Sequence, residues 1–172
     1  MRAGRGRGFD AASVSPWPAE GGILMNIDDI LEMLSEDQPD SIQRAGFEKA
    51  REIGTVSVFV QPVSEHIGME TWENCARVLA ARSDHELRPI LFRLFCWLRD
   101  ATLPGALTIA RRLHAYARDE DFSMTLNAVL SMASQEGDRH WAGDIRQFVL
   151  EGDFSVFDPP PIPEAEGRDR PQ

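Results

Sequence analysis

The sequence predicts an all-α protein, a short HEAT-like α-solenoid of stacked helical hairpins. Three observations lead to that class. Apolar residues recur at helical spacing from Asn26 to Gly152. Residues 83–117 read as two helices joined by a very short turn. The first of these is apolar on nearly every side, through Ile90, Leu91, Phe92, Leu94, Phe95, Cys96, Trp97 and Leu98, which places it in the middle of a stack. Finally, Ala76-Arg77-Val78-Leu79-Ala80-Ala81 recurs as Ala110-Arg111-Arg112-Leu113-His114-Ala115, an offset of 34 residues. At that offset Phe92, Phe95 and Cys96 fall on Leu126, Val129 and Leu130. With one residue inserted, Trp72, Ala76, Arg77 and Leu79 fall on Trp141, Ile145, Arg146 and Phe148. Hairpins in series, each unable to bury its face alone, describe a helical repeat.

Residues 1–24 combine Arg2, Arg5 and Arg7 with glycines and carry no apolar stretch of signal-peptide type, so they are expected to be a disordered leader. Glu20-Gly21-Gly22 can be encoded by a purine-rich ribosome-binding tract, which makes Met25 the expected natural start. The single repeat domain is expected over residues 25–152. Ile27, Ile30, Leu31 and Leu34 stripe the first helix. Pro39, Asp40 and Ser41 restart the chain, and Ile42, Ala45, Ala50 and Ile53 stripe a second helix that Gly54 ends. Val56, Val58 and Val60 alternate like a strand but have no strand to pair with, so they read as a short helical or extended connector ending at Pro62. A third helix runs from Thr71 to Arg82 with Trp72, Cys75, Ala76 and Leu79 on one face.

Ser83 followed by Glu86 is a capping box that starts the next helix, with Pro89 near its first turn or marking a kink. Leu103-Pro104 fits an N-cap followed by proline at the first helical position, and Gly105 and Ala106 allow a close helix approach. Leu107, Ala110, Leu113 and Ala117 continue the buried face. Asp119-Glu120-Asp121 opens a helix whose core set is Phe122, Leu126, Val129, Leu130 and Ala133. Gly137 ends it, Asp138 caps the last helix, and Trp141, Ile145, Phe148 and Val149 face inward up to Gly152. Residues 153–172 read as a disordered, proline-rich acidic tail, from which Phe154 and Phe157 can fold back onto the last helix.

Acidic side chains outnumber basic ones 28 to 18, and residues 25–152 alone hold 21 against 13. Such a surface repels phosphate backbones and anionic lipid, so nucleic acid and membrane are poor partners. A basic protein is steered towards it. Cys75 and Cys96 lie at different heights on adjacent helices, which argues against a bridge, and two free thiols suit the cytoplasm.

Trp72-Glu73-Asn74-Cys75-Ala76-Arg77-Val78-Leu79, Ser83-Asp84 with Leu87, Trp97-Leu98-Arg99-Asp100, and Pro104-Gly105-Ala106 with Ile109, Arg112 and Leu113 together carry a resemblance. Over about residues 42–150 the chain resembles a family of small uncharacterised bacterial proteins with a HEAT-like fold. Members often carry an aromatic before the Pro-Gly pair, where this chain has Leu103. Some similar proteins act as immunity partners of secreted bacterial toxins, so the resemblance implies a toxin-blocking role.

His66, His85, His114 and His140 show neither HxxxH nor HxH spacing, and no cysteine stands at a ligand offset, so no metal or other cofactor is expected. Neither a phosphate-cradling glycine loop nor a Gly-x-Ser-x-Gly elbow is present, and no catalytic residue is assigned. Glu70 with Glu73, and Glu120 with Asp121, read as carboxylates at helix starts. Trp72, Cys75, Trp97, Asp100, Pro104 and Gly105 form the structural motif. Within it, Asp100 is expected to accept from the first amides of the helix at Pro104 or to pair with an arginine. Arg93 should reach the surface or meet a carboxylate. Asp84, Glu86, Asp119, Glu120 and Asp121 occupy corresponding turns of the two repeats and are expected to cluster on one edge. There they serve either as helix-start charge or as a landing strip for a basic partner. The expected function is a non-enzymatic protein-interaction module, an immunity protein against a bacterial toxin. An adaptor or assembly protein is the alternative within the same class, and an enzyme ranks last.

Overall fold

Two short amphipathic helices open the fold and pack on each other: α1 (Ile27–Met33) and α2 (Asp40–Glu52). The computed structural model describes residues 26–61 and 68–157. The expectations placed on residues 1–24, on the connector's end at Pro62 and on the tail beyond Phe157 lie outside them. Ile30, Leu31 and Leu34 are buried as their spacing predicts. On α2, Ala50 is buried and Ile53 packs against the core as predicted, but the middle of the stripe differs. Ala45 is exposed, while Gly46 sits against Met33 and Phe47 packs against the core. Glycine lets the two helices meet closely there: a Cβ on Gly46 would lie 3.0 Å from the Met33 Cβ, tighter than most side-chain contacts. The valine-rich connector is helical, a 3-10 turn over Val56–Phe59 that buries Val56 and Phe59. Among the described residues no strand is present.

The next helices lie in two rows. In the first row α3 (Trp72–Ala80) packs on α6 (Ala106–His114), and α6 packs on a widened π-helical turn over Ile145–Glu151. In the second, α5 (Leu91–Trp97) packs on α7 (Glu120–Glu136), and α7 on α8 (Arg139–Asp144), which runs into the π-helical turn. Burying the Leu79, Leu94, Leu98, Ile109 and Leu113 side chains between these rows stabilises the fold by about 1.5–3 kcal/mol each, before the entropy of ordering is counted. Ala76 and Ala110, both buried, keep α3 and α6 close together.

The apolar segment after Ser83 is broken where Pro89 lacks an N–H. One turn, α4 (Asp84–Leu87), leads into a 3-10 turn over Arg88–Ile90 and then into α5. Leu87, Leu91, Leu94, Phe95, Trp97 and Leu98 are buried, but Phe92 is 44% exposed and Cys96 is half-buried, so α5 retains one solvent side. Arg93 reaches the surface and donates to the carbonyls of Ser57 and Val60.

The start of α6 departs from the sequence expectation. Its N-cap is Gly105 in the left-handed region at φ 81°, and Leu103-Pro104 belongs to the preceding turn. Ala117 is exposed because α6 stops at His114, and Tyr116 joins the core in its place. Asp119 and Asp138 cap their helices through the amides of Phe122 and Trp141. Trp141, Ile145, Phe148 and Val149 are all buried. Phe154 stacks on Phe148 and Phe157 tilts against it, so the chain folds back after Gly152. Among the described residues no helix is long and apolar enough to cross a membrane.

Candidate functional site

The contact between the turn after α3 and the end of α6 is built around Asp84, one residue after the Ser83 cap. Its carboxylate accepts from the Arg112 guanidinium and, at 3.0 Å, from the Ala117 amide, while its carbonyl accepts from the Tyr116 hydroxyl at 2.9 Å. Partial burial works to raise the Asp84 pKa, but the Ala117 amide and Arg112 outweigh it and hold the carboxyl below its ordinary range. Arg112 also donates to the Arg82 carbonyl and lies over Tyr116, which stacks on Phe122 at 5.5 Å. Beside this clasp, Arg88 bridges Asp119 and Asp121 at 3.1 Å each.

The five acids expected along one edge therefore divide. Asp84, Asp119 and Asp121 converge around Arg88, Arg112 and Tyr116. Glu86 lies two residues from Asp84 and so points about 200° around the helix. It pairs with Arg82 at 3.0 Å, and Arg82 donates to the carbonyls of Ala50 and Ile53 at the end of α2. The Ser83 hydroxyl and amide, with Arg82, hold the Glu86 carboxyl down at about 2. Glu120 is exposed in the first turn of α7. Much of the acidic charge at this edge is thus already matched by arginines of the same chain.

The structural motif gathers at the start of α6. Trp72 and Trp97 meet edge to face at 6.2 Å, and the Trp97 indole donates to the Pro104 carbonyl at 3.2 Å. The residue that caps α6 is Glu73, whose two oxygens accept from the Gly105 amide at 2.9 Å and the Thr108 hydroxyl at 2.7 Å. Asp100 does not take that role. It is exposed and accepts from the amide and hydroxyl of Thr102, closing its own turn, and both bonds lower its pKa. The reason is geometric: Gly105, in the left-handed region, turns its own amide towards Glu73 of α3. Cys75 and Cys96 are free thiols. Burial, more than any partner, pushes Cys75 up to about 11, so it stays protonated and unreactive at neutral pH.

Two residues central to this frame carry no signal in composition or spacing. Asn74 is buried and donates to the Leu34 carbonyl at 2.9 Å and to Gln43 Oε1 at 2.8 Å, tying α3 to both α1 and α2. Arg118 donates to the Val149 carbonyl at 2.7 Å and covers the Phe122 ring. Among the described residues no group of His, Cys, Asp or Glu is arranged to hold a metal ion. Comparison with family models, with curated proteins and with solved structures gives no significant match to this chain.

Proposed function

We propose that this chain is a cytoplasmic, non-enzymatic protein-interaction module with a short HEAT-like stack, and that it acts as an immunity protein occupying a secreted bacterial toxin. The observation that carries the reading is the correspondence of α3 and α6. They are nine residues each at an offset of 34, lie side by side, and are followed by second helices that also pack together. Two such rows are how a helical-repeat stack offers an extended docking face. The ionisable groups support the same reading, because Glu73, Asp84, Glu86 and Asp119 are engaged in holding helix ends and guanidinium groups. The net charge of −10 favours a basic partner, and the exposed Glu120 with the second oxygen of Asp121 would form its first encounter.

The deciding experiment expresses the product of the adjacent gene in a heterologous host, with and without this chain. Restored growth together with a stoichiometric complex on size-exclusion chromatography is the expected result. A toxic neighbour that this chain neither neutralises nor binds would overturn the immunity role, and co-purification with a harmless host protein would replace it with an adaptor.

A further inference from the structure

A cavity of about 490 Å³ lies where the end of α7 faces α8 and the start of the π-helical turn. Its size falls within the roughly 300–1,000 Å³ of small-molecule sites. Leu130, Ala133 and Ala142 give the wall an apolar part, and Ser134 adds a hydroxyl at the exposed rim. The charges are what distinguish it. Among the described residues, Lys49 and every arginine but two have their side chains on a carboxylate, a carbonyl, an amide oxygen or a ring. The two exceptions are Arg139 and Arg146, and both line this cavity. Seven residues apart, they turn through about 700° and so project from one side of the helix, about 10 Å apart along its axis. Ala142 stands between them with only a methyl group, which leaves the space open. Asp144 lies about 200° round from Ala142, outside the wall. The carboxylate in the wall is Asp138, whose Oδ1 accepts from the Trp141 amide.

We propose that this cavity binds a small organic dicarboxylate, with one acid on Arg139, the other on Arg146 and an aliphatic body between them over Ala142 and Leu130. Each part of the ligand answers an observed feature. A guanidinium pairs with a carboxylate through two parallel N–H···O bonds, and these two have no competing acceptor among the described residues. Their attachment points stand about two helical turns apart, a spacing that a ligand with two acidic heads spans better than a compact ion does. The apolar part of the wall favours methylene groups between the heads. Asp138 decides between acid types: its negative charge in the same wall repels the second charge of a phosphate head, while a carboxylate carries only one. The cavity lies at the opposite end of α7 from Asp119, so it is separate from the acidic edge on which the partner-binding role depends.

The test titrates the full chain with aliphatic dicarboxylates from succinate to azelate at constant ionic strength and follows the arginine Nε–H signals by NMR. Arg139→Gln and Arg146→Gln assign the two resonances. The expected result is a saturable shift of both signals, with affinity rising along the series. Acetate and inorganic phosphate should need at least about tenfold higher concentrations, because each offers a single anionic head. Either glutamine variant should weaken azelate binding about tenfold, as loss of one charge-assisted pair does. Arg51→Gln, whose guanidinium is held by Glu48 on α2, should leave it unchanged. Both cavity arginines are exposed, so their replacement should keep the melting midpoint of the natural sequence. Absence of a saturable shift with every dicarboxylate would overturn the proposal. So would phosphate binding as tightly as azelate, which leaves a simple anion patch, or a glutamate-rich peptide binding more tightly than any dicarboxylate, which gives the cavity to an acidic segment of a partner protein.

Discussion

Helices α3 and α6 agree in length and in their closing backbone, with Ala81 and Ala115 both at φ −81° and ψ −4°. The helices that follow them in the chain differ: Pro89 divides one into α4, a 3-10 turn and α5, while α7 runs unbroken for 17 residues. The divergence follows exposure. Helices α3 and α6 meet through the buried Ala76 and Ala110, so a change in length or side-chain volume there moves both helices. The second helices keep a solvent side, marked by Phe92 at 44% and Met124 at 57% exposure, and a broken backbone is tolerated on that side.

If close approach fixes the first row, the largest effect should come from Gly105. A Cβ there would lie 2.7 Å from the Ala76 Cβ and 2.9 Å from the Trp72 carbonyl oxygen, at a φ that side chains rarely adopt. Gly105→Ala should lower stability by about 2–4 kcal/mol in urea unfolding, adding overpacking to left-handed strain. Gly137→Ala provides the contrast. Its φ is 73° but nothing lies within 4 Å of the added Cβ, so only the conformational cost, about 1 kcal/mol, should appear. Equal effects at the two glycines would break the comparison.

The next effect separates the two carboxylates near the start of α6. Glu73→Ala removes the acceptor of the Gly105 amide and should cost about 1 kcal/mol, as the loss of a helix cap does. Asp100→Ala should leave the thermal midpoint unchanged, because its bonds are confined to an exposed turn. Reversal of that order in thermal melts would return the capping role to Asp100.

The smallest effect is electrostatic. A carboxylate whose folded pKa is depressed contributes stability that is complete above its unfolded value and lost as pH falls through the folded value. For Glu86 that window runs from its ordinary 4.5 down to about 2. Glu86→Gln should therefore flatten the dependence of the melting midpoint on pH within this window and leave it unaltered above. Circular dichroism melts at stepped pH provide the check, and parallel slopes for the two chains would remove Glu86 from the acid response.

What could be seen in advance was local. Ser83 with Glu86, Asp119 and Asp138 announce helix starts because each cap and its amide lie three residues apart. The inward residues of α7 and of the last helix follow directly from helical spacing. The frame between elements was not legible, because its bonds span long stretches of chain. Asn74 reaches 40 residues back to Leu34, and Glu73 reaches 32 residues forward to Gly105. The left-handed turn at Gly105 also hid the true start of α6, since Leu103-Pro104 satisfies the same local rule two residues too early. The acid cluster was half legible for a related reason. Asp84, Asp119 and Asp121 come together, but a rotation of about 200° between Asp84 and Glu86 sends Glu86 to the opposite neighbour.

The Asn74 amide has one lasting consequence. Its two acceptors belong to the end of α1 and to α2, so severing the chain ahead of Trp72 would strand a polar group in the dry interior of what remains. The opening pair of helices is accordingly a keystone of the arch and no detachable porch.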